Sequence, residues 1–301
     1  MAPPAGPGAS QCPSGPCQDH RRRQDSERGS PLLRIGERSL PRQRGRFARA
    51  GGEIAYEVTG EGPAIVFAHG LGGSHLSWWQ QVPDLARDFR CVTFAHRGFH
   101  PSTDATPPLG LDGFAEDLLG LLDHLELADA ALVGQSMGGW SCLEVALRAP
   151  GRVRALVMSA TSGTIDPRSA ADLGDWPERA AEAAARCAGL GIHPAMGERA
   201  AREQPALHLL YRGIDESAEA DKAALRPRLM AGRTRPAETV RNLAMPTLFV
   251  AGEEDIVFPP VAARALGGMV GRPAVIVPEC GHSPYFERAD GFNALLRDFL
   301  G

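Results

Sequence analysis

The segment Ala130-Ala131-Leu132-Val133-Gly134-Gln135-Ser136-Met137-Gly138-Gly139 decides the expected fold. Its apolar start is typical of a buried strand, and a helix-like segment begins after Ser136. Residues 134–138 fit the pattern Gly-x-Ser-x-Gly, which places a serine on a sharp turn between a strand and a helix. Glycine two residues before and after the serine avoids collisions with neighbouring backbone. Such a turn exposes the hydroxyl and aims backbone N–H groups at a substrate, so the segment predicts a nucleophile; an ordinary strand-to-helix turn is the alternative.

The composition limits the classes of protein to consider. The chain has 301 residues, of which 43% are hydrophobic, enough for one large core or one core with a small insert. A formal net charge of −4 gives no basic footprint of a nucleic-acid-binding protein. No run of 18 apolar residues is present, so no membrane span is expected. The six cysteines fit no metal-ligand spacing, and we expect buried thiols and neither a metal nor a cofactor.

The first 45 residues differ in composition from the rest of the chain. Residues 1–45 are rich in Pro, Gly, Ser and Arg and poor in residues that could build a core, which predicts a disordered tail. The basic run Arg21-Arg22-Arg23 is not followed by an apolar segment. It is therefore not a secretory signal, and the protein is expected to be cytoplasmic.

Strand-like and helix-like segments alternate through most of the remaining sequence. Continuous apolar runs, typical of strands covered on both faces, occupy residues 64–68, 91–95, 130–133, 153–158, 247–251 and 274–277. Helix-like spacing of apolar residues lies between them, so the sequence predicts an α/β fold with a mostly parallel, doubly wound sheet. Residues 162–242 lack a strand-like run and are rich in Ala, Arg and Glu. They are interpreted as a helical cap inserted into a core formed by residues 46–161 and 243–301.

Two further polar residues follow strands of this predicted sheet. Asp255 follows the strand at 247–251, and His282 follows the last strand. Because ligands of such sheets bind at the carboxyl ends of the strands, both side chains are expected to approach Ser136. His282 would accept the proton of the serine hydroxyl, and Asp255 would hold the histidine tautomer. Glu253 and Glu254 are the neighbouring alternatives for the acid.

Other parts of a catalytic site are expected at the strand that ends in His69-Gly70-Leu71. The backbone N–H groups of Leu71 and Met137 are the predicted oxyanion donors, whereas His69 itself is interpreted as structural. A cap implies a bounded, partly apolar pocket. Its candidate lining residues, each with a core role as the alternative, are Trp78, Trp79, Trp140, Met196, Tyr211, Val257 and Phe258.

Together these motifs resemble the α/β-hydrolase superfamily. The likeness is carried by residues 67–72, 96–98, 134–139, 252–255 and 281–282, and it covers residues 47–301 with a cap after the sixth strand of the family fold. It implies cofactor-free hydrolysis through an acyl-enzyme.

One block departs from the family pattern Asp-x-Arg-Gly-x-Gly-x-Ser, because Ala95 and His100 replace the aspartate and the second glycine. Serine at position 136 argues against the haloalkane dehalogenase and epoxide hydrolase branches, which use aspartate there.

Three functions remain open from the sequence. The first is hydrolysis of a carboxylic ester or lactone. The second is hydrolysis of a carbon–carbon bond in a ring-cleavage dienoate, and the third is a cyclase or a non-hydrolytic binding protein on the same scaffold. Dienoate hydrolases often have Asn before the serine, where this chain has Gln135. The expected partner is a small-molecule substrate, with no nucleic acid and no membrane.

Overall fold

Eight strands form one sheet in the part of the chain that the computed structural model describes, residues 1–2, 40–49, 51–104 and 112–301. The strands are β1 (Arg42–Arg49), β2 (Gly52–Thr59), β3 (Ala64–Ala68), β4 (Arg90–Phe94), β5 (Ala130–Gln135), β6 (Val153–Ser159), β7 (Thr247–Gly252) and β8 (Val275–Val277). Their order across the sheet is β1-β2-β4-β3-β5-β6-β7-β8. β2 pairs antiparallel with β1 and β4, whereas the pairs from β4 to β8 are all parallel. The predicted fold class is confirmed.

Helices cover both faces of this sheet. The α-helices of the described residues are α1 (Val82–Leu85), α2 (Asp112–His124), α3 (Gly138–Arg148), α4 (Trp176–Gly189), α5 (Glu198–Glu203), α6 (Pro205–Ser217), α7 (Lys222–Ala231), α8 (Pro260–Met269), α9 (Pro284–Glu287) and α10 (Ala289–Leu300). In β3, Val66 and Ala68 pack with residues of α2, α3 and α8, while Ile65 and Phe67 pack with residues of α1 and α10. Both faces are buried, which explains the continuous apolar runs. Within the described ranges, no helix has the length and apolar character of a bilayer span.

The first strand corrects the predicted start of the core. β1 begins at Arg42, four residues before the predicted boundary at residue 46, and it pairs with β2 along its whole length. Only Phe47 of this strand is buried, so its sequence carries no alternating apolar pattern. Backbone pairing and the ion pair of Arg42 with Glu57 (2.6 Å) hold it at the edge of the sheet. Residues 3–39 of the predicted tail lie outside the described residues.

The insert of residues 162–242 contains α4 to α7, together with two short 3-10 helices. No strand of the sheet lies between β6 and β7, and this stretch is described without a gap. One isolated bridge joins Ile165 to Arg235 near the two ends of the insert. The insert therefore leaves and re-enters the core at neighbouring points beside β6.

Candidate active site

The serine of the Gly-Gln-Ser-Met-Gly motif lies on a strained turn between β5 and α3. Ser136 has a φ of 49°, a left-handed conformation that is uncommon for a residue with a side chain, and its N–H donates to the Ser159 carbonyl oxygen at 3.0 Å. A Cβ atom on Gly138 would lie 2.0 Å from the Ala68 carbonyl oxygen. One on Gly134 would lie 2.9 Å from the Gly138 carbonyl oxygen. The two glycines are therefore required by backbone packing between β3, β5 and α3, as the sequence pattern predicts.

The predicted acid and base contact each other at the ends of β7 and β8. Nδ1 of His282 lies 2.9 Å and 3.1 Å from Oδ2 and Oδ1 of Asp255, and both residues are buried. Oδ1 of Asp255 also accepts the N–H groups of Val257 (2.7 Å) and Phe258 (2.9 Å), which fix the carboxylate. Facing a carboxylate, Nδ1 of His282 carries the proton, which leaves Nε2 free to accept one.

The neighbouring glutamates make other contacts. Oε2 of Glu253 accepts the N–H of Glu279 at 3.4 Å. Oε1 of Glu254 pairs with Arg199 of α5 at 2.7 Å. Among the three acids at positions 253–255, the contact with His282 is made by Asp255.

Gln135 connects the loop that carries His282 to the turn that carries Ser136. Nε2 of Gln135 donates to the His282 carbonyl oxygen at 3.1 Å, which joins the end of β5 to the loop after β8. Gly70 lies against the same turn, since a Cβ atom there would be 2.2 Å from Oε1 of Gln135 and 3.2 Å from Cβ of Ser136. The ends of β3, β5 and β8 therefore meet around the serine.

Two backbone N–H groups are available at this meeting point. The N–H groups of Leu71, which follows Gly70, and of Met137, which follows Ser136, donate to no backbone carbonyl in the described ranges. His69 holds the first of these loops in place. Its Nε2 accepts the N–H of His96 at 3.0 Å, and its Nδ1 donates to the Gly70 carbonyl oxygen at 2.8 Å. Burial lowers the pKa of His69 to about 3, so the ring stays neutral in this supporting position.

Comparison with known proteins agrees with this geometry. The sequence model of the alpha/beta hydrolase fold matches residues 63–189. A 2-hydroxymuconate semialdehyde hydrolase of Pseudomonas sp. strain CF600 is 30% identical over 263 residues, which cover 80% of this chain and 88% of that protein. The chain belongs to the α/β-hydrolase family.

Two further similarities describe the range of its relatives. A dihydrolipoyllysine-residue acetyltransferase component of an acetoin cleaving system, from Pseudomonas putida, is 31% identical over 260 residues, covering 84% of this chain and 68% of that protein. The crystal structure of an enol-lactonase from Burkholderia xenovorans LB400 matches with a TM-score of 0.67 and 26% identity, over 85% of this chain and 99% of that one. The protein is an enzyme, a hydrolase of the α/β family.

A buried glutamate of this α/β hydrolase holds the loop that carries His282, and it was not predicted from the sequence. Oε2 and Oε1 of Glu287 accept the N–H groups of Gly281 (2.8 Å) and Ser283 (3.0 Å), on either side of His282. Burial raises the pKa of Glu287 to about 8. The available signal was an acidic residue directly after the apolar segment Pro284-Tyr285-Phe286, five residues beyond the histidine.

The seven residues predicted to line a pocket of the hydrolase lie in different places. Trp78 is wholly buried between Phe67 and Tyr285, with ring centroids 4.9 Å and 4.6 Å away, and Phe258 is buried against α8, so both belong to the core. Trp79 is 43% exposed.

The remaining four lie nearer the candidate site or the cap. Met196 and Tyr211 belong to the core cluster that contains Trp78, together with Ala195, Ala200 and Ile214 of the cap. Val257 contributes its N–H to Asp255. Trp140 packs in one apolar cluster with Leu71 and Met137.

The cap touches the three loops that carry the candidate catalytic groups. Nε1 of Trp176 donates to the Asp255 carbonyl oxygen at 3.3 Å. A Cβ atom on Gly281 would lie 3.1 Å from Cα of Gly197, and one on Gly72 would lie 2.9 Å from Oδ1 of Asp215. A groove of about 660 Å³ runs between α4 and the Asp255 loop, and none of the seven predicted pocket residues lines it. The cap therefore forms one wall beside the candidate site.

Proposed function

We propose that this α/β hydrolase cleaves a carboxylic ester or lactone of a small substrate through an acyl-enzyme on Ser136. One observation carries the proposal: the His282–Asp255 pair is tied through Gln135 to the turn that holds Ser136 at a φ of 49°. A nucleophile, a base and an orienting acid in this arrangement match the requirements of acyl transfer.

The proposed reaction has two halves. Nε2 of His282 takes the hydroxyl proton of Ser136 as its Oγ attacks the carbonyl carbon, and the protonated ring then returns this proton to the departing alcohol oxygen. In the second half His282 takes a proton from water as the water oxygen attacks the acyl-enzyme ester, and it returns this proton to Oγ of Ser136 as the C–Oγ bond breaks and the acid is released. Asp255 stabilises the imidazolium in both halves. The N–H groups of Leu71 and Met137 donate to the negative oxygen of each tetrahedral intermediate.

Ester or lactone cleavage is preferred over the second candidate, hydrolysis of a carbon–carbon bond. The enol-lactonase from Burkholderia xenovorans LB400 is covered almost completely by this fold, which supports a lactone or ester substrate. The relative from Pseudomonas sp. strain CF600 is named a 2-hydroxymuconate semialdehyde hydrolase, and this name favours the second candidate. Both candidates place the nucleophile at Ser136.

A substrate panel separates the two candidates. We expect kcat/KM for p-nitrophenyl acetate, p-nitrophenyl butyrate and simple δ-lactones to exceed that for 2-hydroxymuconate semialdehyde. All of these rates should be lost in Ser136→Ala. The reverse preference would replace ester cleavage by carbon–carbon cleavage, and full retention of activity in Ser136→Ala would reject the serine mechanism.

A further inference from the structure

One arginine of the cap packs against the core with no ion pair in the described ranges, and Asp166, the carboxylate that acts on it electrostatically, is itself paired with Arg168. Arg233 follows α7, and its guanidinium carbon lies 4.9 Å from the centroid of the Trp140 ring. Its Nε is buried and has no hydrogen-bond partner in the described ranges, where the side chain makes no ion pair either. Nε1 of Trp140 is also buried without a partner among those residues. Two N–H donors without acceptors therefore occur at one place.

Such an arrangement costs free energy unless an acceptor binds there. Buried charged groups in proteins are normally paired, and a buried donor that lacks an acceptor carries a desolvation penalty. Arg97, also in the core, follows the usual pattern through its short contact with Asp117. Burial lowers the pKa of Arg233 to about 10, so the side chain stays cationic at neutral pH.

The neighbouring arginine, Arg235, does form an ion pair within the protein. Arg235 forms a two-pronged contact with Glu144, at 2.7 Å to Oε1 and 2.8 Å to Oε2. Glu144 and Trp140 lie on α3, one turn apart. The segment after α7 therefore runs along α3, with the paired arginine over the second turn and Arg233 over the first turn.

The first turn of α3 is the one that adjoins the nucleophile. Trp140 lies in the first turn of α3, four residues after Ser136. Trp140 also shares its apolar cluster with Leu71 and Met137, the proposed oxyanion donors. Arg233 is part-buried as a whole, and its terminal nitrogens are not among the buried atoms that lack a hydrogen-bond partner.

We propose that Arg233, held on the Trp140 ring, binds a carboxylate of the substrate, so that the preferred substrate is an ester or lactone carrying an acid group a few bonds from the scissile carbonyl. A guanidinium presents paired N–H donors that match the two oxygens of a carboxylate, and stacking on an aromatic face fixes its plane. This inference rests on the proposed ester or lactone cleavage at Ser136.

A matched pair of esters tests the preference. p-Nitrophenyl hydrogen glutarate and p-nitrophenyl valerate have acyl chains of equal length, and only the first ends in a carboxylate. We expect the wild-type protein to favour the glutarate half-ester in kcat/KM by about tenfold or more, the scale of a hydrogen bond to a charged group. In Arg233→Gln this ratio should fall to near one. Arg233→Lys should give an intermediate ratio, because lysine keeps the positive charge but lacks the paired N–H donors of a guanidinium.

The control is Arg272→Gln. Arg272 lies over the Phe299 ring at 4.8 Å, and this arginine–aromatic pair belongs to the α8–β8 connection and α10. Its loss should leave the ratio at the wild-type value. A wild-type protein that hydrolyses both esters without preference, or an Arg233→Gln variant that folds and keeps the preference, would overturn the proposal.

A binding measurement separates failure of the subsite from failure of the proposed reaction. Calorimetric titration of Ser136→Ala with glutarate should show binding that is lost on adding Arg233→Gln and kept on adding Arg272→Gln. If neither ester is hydrolysed but this pattern is found, the anion subsite stands and the proposed reaction is wrong. Glutarate binding that does not depend on Arg233, or no binding at all, would overturn the subsite.

Discussion

The serine turn and the cap that faces it are built in opposite ways. Around Ser136 the backbone is packed so closely that a single added carbon on Gly138 would overlap the Ala68 carbonyl group. At two glycines on cap helices, Gly189 and Gly213, a Cβ atom would meet nothing within 4 Å, whereas Gly197 of the cap lies against Gly281. The backbone geometry around Ser136 is thus fixed by close packing in the core, whereas exposed positions on the cap helices have room for added side chains.

Side chains join the cap to the core. Arg199 pairs with Glu254, Arg235 pairs with Glu144, and Trp176 donates to the Asp255 carbonyl oxygen. The Arg199–Glu254 pair is partly exposed and contributes little free energy, so it positions the cap more than it stabilises the fold. We therefore expect large losses of kcat or unfolding free energy for changes at the core site, and smaller ones for changes in the cap.

The largest effect is expected for the nucleophile and the base. Ser136→Ala removes the attacking oxygen, and His282→Ala leaves an oxygen that no base activates, so each should lower kcat by about 10⁶. Because the two groups act as one unit, the double variant should be hardly slower than either single one. The measurement is a double-mutant cycle on kcat with the most active ester of the panel. Losses that multiply would show that the two residues do not act together.

The next largest loss of kcat is expected for the predicted acid, Asp255. Its neighbour Glu254, which pairs with Arg199 of the cap, is the control. Asp255→Asn keeps the shape of the side chain but disturbs the tautomer and charge at His282, and kcat should fall by about 10⁴. Glu254→Gln, one residue away, removes only the pairing with Arg199 and should leave kcat within a fewfold of wild type. Glu253→Gln should behave in the same way. A larger loss in either glutamine variant would move the role of the acid away from Asp255.

Two glycine substitutions compare the packing of the regions directly. Gly138→Ala forces a carbon against the Ala68 carbonyl group and should cost about 3 kcal/mol of unfolding free energy, with loss of activity. Gly213→Ala lies on the exposed face of α6 and should raise the unfolding free energy by about 0.5–1 kcal/mol, since alanine favours a helix. Denaturant unfolding of both variants measures the difference. Equal and small effects at the two positions would contradict the contrast between core and cap.

Much of this architecture could be predicted because it depends on local sequence. The parallel strands are continuous apolar runs, and the triad candidates follow the ends of three of them, Ser136 directly and the other two within the next loop. β1 escaped prediction because an edge strand with one buried side chain has no pattern to detect.

Contacts between distant parts of the chain could not be found in this way. Gln135 meets the His282 carbonyl group across 147 residues, and Arg233 reaches Trp140 only after the cap has folded back along α3. The pocket candidates show the same limit. Aromatic residues suit a core and a pocket equally. Only packing distinguished Trp78, which is in the core, from Trp140, which lies in one cluster with Leu71 and Met137.

Covalent labelling tests the central claim, an activated nucleophile at Ser136, most directly. The full-length protein is treated with a fluorophosphonate, and the adduct is located by mass spectrometry of its peptides. We expect one phosphonylated residue, Ser136, with labelling that is slowed strongly in Asp255→Asn and abolished in His282→Ala. An unlabelled protein, a label on another residue, or equal labelling rates in wild type and His282→Ala would contradict the account.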